Sequence, residues 1–360
     1  MSEDSLIISA PYRIDIAGGV SDIPFFNEKI GTAVCNFAID VYDLDGNLQN
    51  IKIEFGRSEQ WSFKLNGRNF KNIVTEKVSN LFKHSQYKNI KINSPLGQSA
   101  GLGGSSALVL ILLTALEEPT KKSNKNLSFV NSSSNKRKSL GLIKKAYDFE
   151  RNICGLIGGF QDFVPVTFGG MCFINSSIEK IASPSNKFGL ALPENLNKFF
   201  DNRMFLILLK NKKLNSEAIV NNEIRRVSRN ESLMSNIESI IDANCKIYKI
   251  LISKNKSEAN KSFSKIKNII DASWLRQKEL SSFLGNNLLE EICEYIKSKC
   301  YGVRGPGAGV NGLFGISKPD QLKKIINFIK DKHNKSVDIY RLKINHTGIK
   351  TIGDVLKPSS

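Results

Sequence analysis

The sequence predicts a mixed fold of strands and helices, arranged as two domains or one large one. Three observations carry this expectation. The chain has 360 residues, enough for more than one core. Its N-terminal part alternates short strand-type segments with Gly, Pro and Asn turns. Its C-terminal part is dominated by long helical periodicities set between a few strand-type segments.

In chain order, Leu6–Ser9 and Arg13–Ala17 read as strands on either side of Pro11. In the second, Ile14 and Ile16 face one way and Arg13, Asp15 and Ala17 the other. Gly18-Gly19 breaks this strand, and Ser21–Pro24 is a turn. Gly31–Tyr42 is a strand region closed by a turn at Asp43–Gly46. Ile51–Phe55 and Trp61–Leu65 are alternating strands, with Asn66-Gly67 as a turn signal. Asn72–Phe82 is a helix and Ile90–Ile92 a strand. The stretch Pro95–Ala107 then holds four glycines, three serines and no charge, and Ala107–Leu116 continues it as a helix that is apolar except for Thr114.

Thr120–Ser139, rich in Lys, Asn and Ser, reads as a low-complexity surface insertion. Leu140–Cys154 is an amphipathic helix that buries Leu142, Ile143, Ala146, Tyr147, Phe149, Ile153 and Cys154. Glu150 lies on its inward face, while Asp148, Arg151 and Asn152 face out. Gly158–Asp162 is a loop, and Val164–Phe168 and Met171–Ile174 are extended on either side of Gly169-Gly170. Ser183–Pro193 is loop-like, with a domain boundary near residue 197 that divides 1–197 from 198–360. Phe205–Leu209 is a buried strand, and Asn215–Asn255, Ala259–Asp271 and Leu288–Lys299 are helical. The glycine-rich run Gly302–Gly312 precedes a strand at Leu313–Ile316. Asp320 is placed to cap a helix reaching Lys332, and Val337–Lys343 is the last strand.

Composition excludes several classes. The six cysteines are scattered without a C-x-x-C pair, and the three histidines lie far apart, so neither a disulfide frame nor a zinc site is expected. The richest apolar run is too short to span a bilayer, and Met1–Ser5 lacks the layout of a signal peptide, so a cytoplasmic protein is expected. The net charge of +18 favours anionic partners, but the lysines form no stripe and no aromatics interleave with them, which argues against nucleic acid.

Four clusters carry chemistry. In the first, the glycines of Pro95–Ala107 let backbone amides turn toward a ligand, and the following helix start adds free N–H groups and a positive dipole end. Gly97, Gly101, Leu102, Gly103, Gly104, Ser105, Ser106 and Ala107 are therefore assigned to nucleotide phosphate, although no Walker Gly-Lys-Ser/Thr follows; the alternative is a tight connection with serine N-caps. The second is Glu150 with Asp162. One could hold Mg²⁺ and the other take a hydroxyl proton; equally, they could be a buried salt bridge and an N-cap. The third is Arg13 with Asp22, suited to charge on a transferring phosphoryl group and to substrate hydroxyls, or merely to an ion pair and a turn. In the fourth, Gly307–Gly312 matches G-x-G-x-x-G, but a helix precedes it and a strand follows, so it is no dinucleotide fingerprint. It reads instead as a second glycine segment packed beside the first.

These pieces, in this order, resemble the GHMP small-molecule kinases. Ala10–Asp22 resembles the first family motif, Gly101–Ala107 the second and Gly305–Gly309 the third. The Ala17-Gly-Gly-Val-Ser-Asp-Ile-Pro24 form, Phe149-Glu-Arg151, Gly159-Phe-Gln-Asp162, Phe168-Gly-Gly170 and Trp274 before Lys278 are most similar to the heptose 7-phosphate kinase and fucokinase branch. The resemblance implies an α+β fold of two domains, ribosomal-S5-like and then ferredoxin-like, with the site between them. It implies ATP and Mg²⁺, with Ser105 and Glu150 as metal ligands, Asp162 as the catalytic carboxylate and Arg13 stabilising the transferring phosphate. Gly19, Ser21, Asp22, Gly159, Gly307 and Gly309 would surround a sugar or sugar-phosphate acceptor. A homodimer is compatible with it. Other GHMP acceptors (fucose, galactose or a mevalonate-like alcohol) and a sugar- and ATP-binding sensor without turnover are the alternatives. The sequence departs from the family pattern at Gln98-Ser99, an insertion in the loop, and at Gly104, Phe163, Arg304, Val310 and Asn311.

Overall fold

The structure is a computed structural model, and it describes residues 5–71, 73–81, 83, 85, 87–97, 99–117, 133–211, 216–253, 259–280, 286–307 and 311–354. Its strands are β1 (Leu6–Ala10), β2 (Tyr12–Asp15), β3 (Val34–Tyr42), β4 (Ile51–Arg57), β5 (Ser62–Leu65), β6 (Arg68–Asn69) and β7 (Tyr87–Asn93). The later ones are β8 (Met171–Ile174), β9 (Lys187–Leu190), β10 (Met204–Leu209), β11 (Cys300–Arg304), β12 (Gly312–Ser317), β13 (Val337–Ile344) and β14 (Lys350–Asp354). The helices up to residue 201 are α1 (Pro24–Ile30), α2 (Ile73–Leu81), α3 (Gly104–Glu117), α4 (Ser133–Asp148), α5 (Phe163–Phe168) and α6 (Glu194–Asp201). The others are α7 (Ser216–Arg229), α8 (Met234–Ile252), α9 (Ala259–Leu280), α10 (Asn287–Lys297) and α11 (Leu322–Lys332).

Two sheets organise these elements, in a mixed α/β architecture as expected. The smaller sheet has the order β14-β1-β4-β7-β5-β6. In β4, Ile51, Ile53 and Phe55 are buried while Lys52 and Glu54 are not, the alternation of a sheet with one face on the core. Helix α3 packs on β1 and β4 and is buried along almost its whole length, which is why its sequence shows no polar face. The larger sheet has the order β11-β12-β10-β13-β3-β8-β9, with β2 paired to β3. Residue 197 lies within α6, and strands from both sides of it share this larger sheet. Strand β14 returns to pair with β1, so the C-terminal segment closes the N-terminal sheet.

Several local expectations are corrected. Val164–Phe168 is not extended but belongs to α5, whose six side chains are all buried. A segment buried on every side shows neither period in its sequence. The Thr167 hydroxyl donates to the Phe163 carbonyl at 2.8 Å, and Gly169 (φ +70°) ends the helix. Helix α4 starts at Ser133, inside the stretch read as an insertion; residues 120–132 of that stretch lie outside the described residues. Phe149–Ile153 is a π-turn, with the Cys154 amide bonded to the Phe149 carbonyl at 3.0 Å. The wider turn rotates Ile153 outward, to 48% exposure, and leaves Glu150 buried. Lys187–Leu190 forms β9 within the expected loop, and Gly302–Arg304 belongs to β11. Asp320 makes no cap: the residue before α11 is Gln321, and Asp320 takes φ +58°.

Among the described residues no helix is long and apolar enough to cross a membrane. Helix α8 is anchored to the site's strands by Asn244, which is fully buried. Its side-chain oxygen accepts from the Cys35 amide at 2.8 Å, and its amide donates to the Gly18 carbonyl at 2.9 Å. Asn244→Ala strands both groups in a dry interior, and we expect a loss of about 2–4 kcal/mol in urea unfolding. A loss below about 0.5 kcal/mol would show that water replaces the amide at no cost.

Candidate active site

The glycine stretch begins with backbone that only glycine adopts readily. Gly101 and Gly103 have φ of +73° and +70°. A Cβ on Gly101 would stand 2.4 Å from the Pro306 carbonyl oxygen, and one on Gly307 would stand 2.3 Å from that of Gly101. The two glycine segments therefore meet backbone to backbone, as read from the sequence. Gln98 and Gly309 lie outside the described residues. The inserted Ser99 takes φ +59°, and its carbonyl accepts from the Asn311 amide at 2.8 Å. Two departures from the family pattern thus contact each other.

Helix α3 starts at Gly104, directly after the turn, so the amides of its first residues have no intrahelical acceptor. Gly97, Gly101–Gly104, Ser105 and Ser106 line one cavity of about 430 Å³, with Ser105 exposed to it and Ala107 behind in the core. Glu150 enters the same wall. Its Oε2 accepts from the Ser106 hydroxyl at 3.2 Å. Burial, and then the charge of Asp162, push its carboxyl up to about 7, against the pull of the Ser105 and Ser106 hydroxyls. A buried carboxylate beside two hydroxyls and a helix start is a donor set suited to a hard cation carried on phosphate oxygens. No cluster of three or more His, Cys, Asp or Glu suited to a metal occurs among the described residues.

Arg13 and Asp162 form the centre of the cavity. Arg13 Nε donates to Asp162 Oδ1 at 2.6 Å, and its NH1 donates to the Gly101 carbonyl at 2.9 Å. Burial opposes the guanidinium charge, but Asp162 and Asp15 outweigh it and raise the Arg13 pKa. The Asp162 side chain keeps 23% exposure, open to the cavity. The Arg13 amide also donates to the Leu102 carbonyl at 3.1 Å, which ties β2 to the glycine turn.

Beyond Asp162 the wall is built by Gly19, Val20, Gly159, Gln161 and Gly307. A Cβ on Gly159 would strike the Asp22 carboxylate, and one on Gly19 the Gln161 amide, each at 2.0 Å. Ser21 and Asp22, expected at the acceptor, stand outside this wall. The Ser21 hydroxyl is bonded to Thr32 Oγ1 at 3.0 Å, and Asp22 Oδ2 accepts from the Gln161 amide at 2.7 Å. Asp22 is 1% exposed, and burial raises its pKa well above the carboxylate range. It supports Gln161 from behind.

Residues far apart in sequence complete the site. Asp15 Oδ1 accepts from the Gly307 amide at 3.2 Å, and the Gln277 amide donates to the Gly307 carbonyl at 2.9 Å. Arg304, fully buried, donates to the Asp15 carbonyl at 3.0 Å and to Gln277. Sequence reasoning missed Asp15 and Gln277. The one local signal was that Asp15 shares a strand face with Arg13.

A helix-start phosphate cradle facing an arginine-held carboxylate is a layout for phosphoryl transfer to a small acceptor. Comparisons with known proteins place it. Residues 72–170 match the family described as GHMP kinases N terminal domain. The chain is 24% identical over 343 residues to D-glycero-alpha-D-manno-heptose 7-phosphate kinase of Campylobacter jejuni subsp. jejuni serotype O:2, covering 89% of this chain and 91% of the relative. Its fold is that of a D-glycero-D-manno-heptose 1-phosphate kinase from Bacteroides thetaiotaomicron (TM-score 0.63, 15% identity, 96% and 97% of the two chains covered). It is also that of the Methanococcus jannaschii mevalonate kinase (TM-score 0.61, 18% identity, 94% and 98% covered). Residues 72–170 thus match the N-terminal domain of GHMP kinases, and the chain as a whole is similar in sequence and fold to kinases of small hydroxylated acceptors.

Gly307→Ala puts a methyl group against the Gly101 carbonyl at positive φ, so the two glycine segments must part. We expect ATP affinity by calorimetry to fall at least about tenfold, with the fold retained in circular dichroism. Unchanged affinity would show that the contact does not shape the loop.

Proposed function

We propose that the chain transfers the γ-phosphate of ATP to a hydroxyl of a sugar or sugar phosphate. The acceptor we favour is D-glycero-D-manno-heptose 7-phosphate, at its anomeric hydroxyl. One observation carries the reading: Asp162, open to the cavity, is held by Arg13 between the phosphate loop and the wall of Gly19, Gly159 and Gln161. The name of the curated relative, a heptose 7-phosphate kinase, supports the acceptor class. The positive net charge of +18 suits an anionic nucleotide and a phosphorylated acceptor, and we place the reaction in the cytoplasm.

In this reading the polyphosphate of ATP lies along Gly101–Ser106, where free amides and the dipole of α3 offset its charge. Its base faces the apolar wall of Ile51, Leu65, Val74 and Ile92. Ser105, Ser106 and Glu150 would hold Mg²⁺, which when bound neutralises charge on the phosphates. Asp162 accepts a hydrogen bond, and then the proton, from the attacking hydroxyl. Arg13 orients Asp162 and keeps a fixed positive charge beside the transferring group. The closed glycine contact excludes water from the loop.

Asp162→Asn keeps the shape and removes the base. In a coupled ADP-release assay across sugars and sugar 7-phosphates, we expect kcat to fall about 10²–10⁴-fold while ATP affinity stays within about threefold. Full activity in this variant would sink the mechanism.

The elevated Glu150 pKa gives a second test. The metal-free carboxyl is largely protonated below about 7 and must lose its proton to bind a cation. The Mg²⁺ concentration for half-maximal activity should therefore rise by up to about tenfold per pH unit below 7. Glu150→Gln should weaken Mg²⁺ binding and flatten this dependence. An equal pH dependence in both proteins would remove Glu150 from the metal site.

A further inference from the structure

Helix α7 presents a buried stripe at helical spacing: Ile219, Glu223 and Val227 are each at most 2% exposed. An apolar residue is expected at its centre, because an unpaired carboxyl in such a stripe costs stability. The Glu223 side chain makes no hydrogen bond or ion pair among the described residues, and its Oε1 is buried without a partner. Burial alone pushes its pKa up to about 8. Yet Glu223 borders the same cavity as Asp162.

The packing fixes which end of the cavity Glu223 serves. Val220 and Ile224 of α7 pack on the apolar cluster that includes Val20 and Ile23, which follow Gly19 in the wall beyond Asp162. Helix α7 also contacts α9, the helix that supplies Gln277. The apolar wall proposed for the base of ATP comes instead from β4, β5, α2 and β7. Glu223 therefore stands on the acceptor side.

We propose that Glu223 is a specificity-determining residue that hydrogen-bonds a hydroxyl of the acceptor away from the transferred phosphate. This rests on the reading of the chain as a kinase of hydroxylated acceptors. A carboxyl in that apolar setting, protonated near neutral pH, both donates to and accepts from a neutral hydroxyl. It rejects a phosphate ester or an acceptor that offers only methyl groups there, because its buried oxygen would stay unpaired. Two carboxyls then divide the acceptor: Asp162 takes the reacting hydroxyl and Glu223 a distal one.

The test is acceptor binding to the whole chain loaded with Mg²⁺ and a non-hydrolysable ATP analogue, followed by steady-state kinetics. The panel is D-glycero-D-manno-heptose 7-phosphate, L-fucose, D-galactose, mevalonate and homoserine, against wild type, Glu223→Gln and Glu223→Ala. We expect one sugar to bind wild type. Glu223→Ala should weaken it about 10- to 100-fold, mainly in KM, and Glu223→Gln should restore much of the loss, with analogue affinity unchanged in both. Equal sugar affinity in wild type and Glu223→Ala overturns the proposal and leaves the kinase reading standing. A Glu223-dependent sugar other than the heptose supports the proposal and removes the heptose assignment. Glu223-dependent binding of homoserine alone would mean that an ammonium group pairs there, and overturns it. If no panel member binds, both the proposal and the sugar-kinase reading fall.

Discussion

The guanidinium of Arg13 is the constraint on which the site depends. It is buried, so its charge must be met by partners at short range. Asp162 meets it at 2.6 Å, the Gly101 carbonyl at 2.9 Å, and Asp15 lies 3.8 Å away. Those three groups come from the Gly159–Asp162 segment, the glycine turn before α3 and β2. One cation thus sets the distance between the glycine turn and the Asp162 carboxylate. A lysine could supply the charge but not the planar fork that reaches Asp162 and Gly101 at once.

A second level of order comes from the chain's C-terminal part. The Gly305-Pro306-Gly307 turn lies against Gly101 so closely that neither glycine can carry a side chain. It is held by Asp15 and Gln277, and Arg304 in turn bridges those two. The larger sheet makes this possible. Strand β11, which ends at Arg304, belongs to the same sheet as β3, and β3 carries β2 and Arg13. Sheet continuity converts a contact between remote segments into a fixed spacing. The cavity beyond Asp162 is looser in chemistry: glycines give it shape, while Gln161, Glu223 and Gln277 give it polarity.

Much of this was legible in the sequence. The glycine turn, the helix behind it, the inward carboxylate at position 150 and the pairing of two glycine segments followed from residue types at short spacing. The errors have identifiable causes. Val164–Phe168 is buried all round, so its pattern could not distinguish helix from strand. Ile153 was placed inward because a regular helix was assumed, whereas a π-turn carries Phe149–Ile153. Asp22 and Ser21 were placed at the acceptor by their position in a motif, but the Gly159–Gln161 segment lies between them and the cavity. Glu223 drew no attention because one carboxylate on a polar-looking helix is ordinary until burial is known.

By itself the sequence determined what depends on neighbours along the chain. These are the positive-φ glycines, the free amides at the start of α3, the turn chemistry, and the face of the helix that Glu150 occupies. Such features are set by backbone sterics and by contacts three or four residues apart. Only the tertiary structure decided which carboxylates meet the cavity and which stand behind it. Arg13 and Asp162 are 149 positions apart, and Asp15 and Gly307 are 292. Their pairing is an outcome of how two sheets and their helices bury apolar surface, and no local periodicity encodes that outcome.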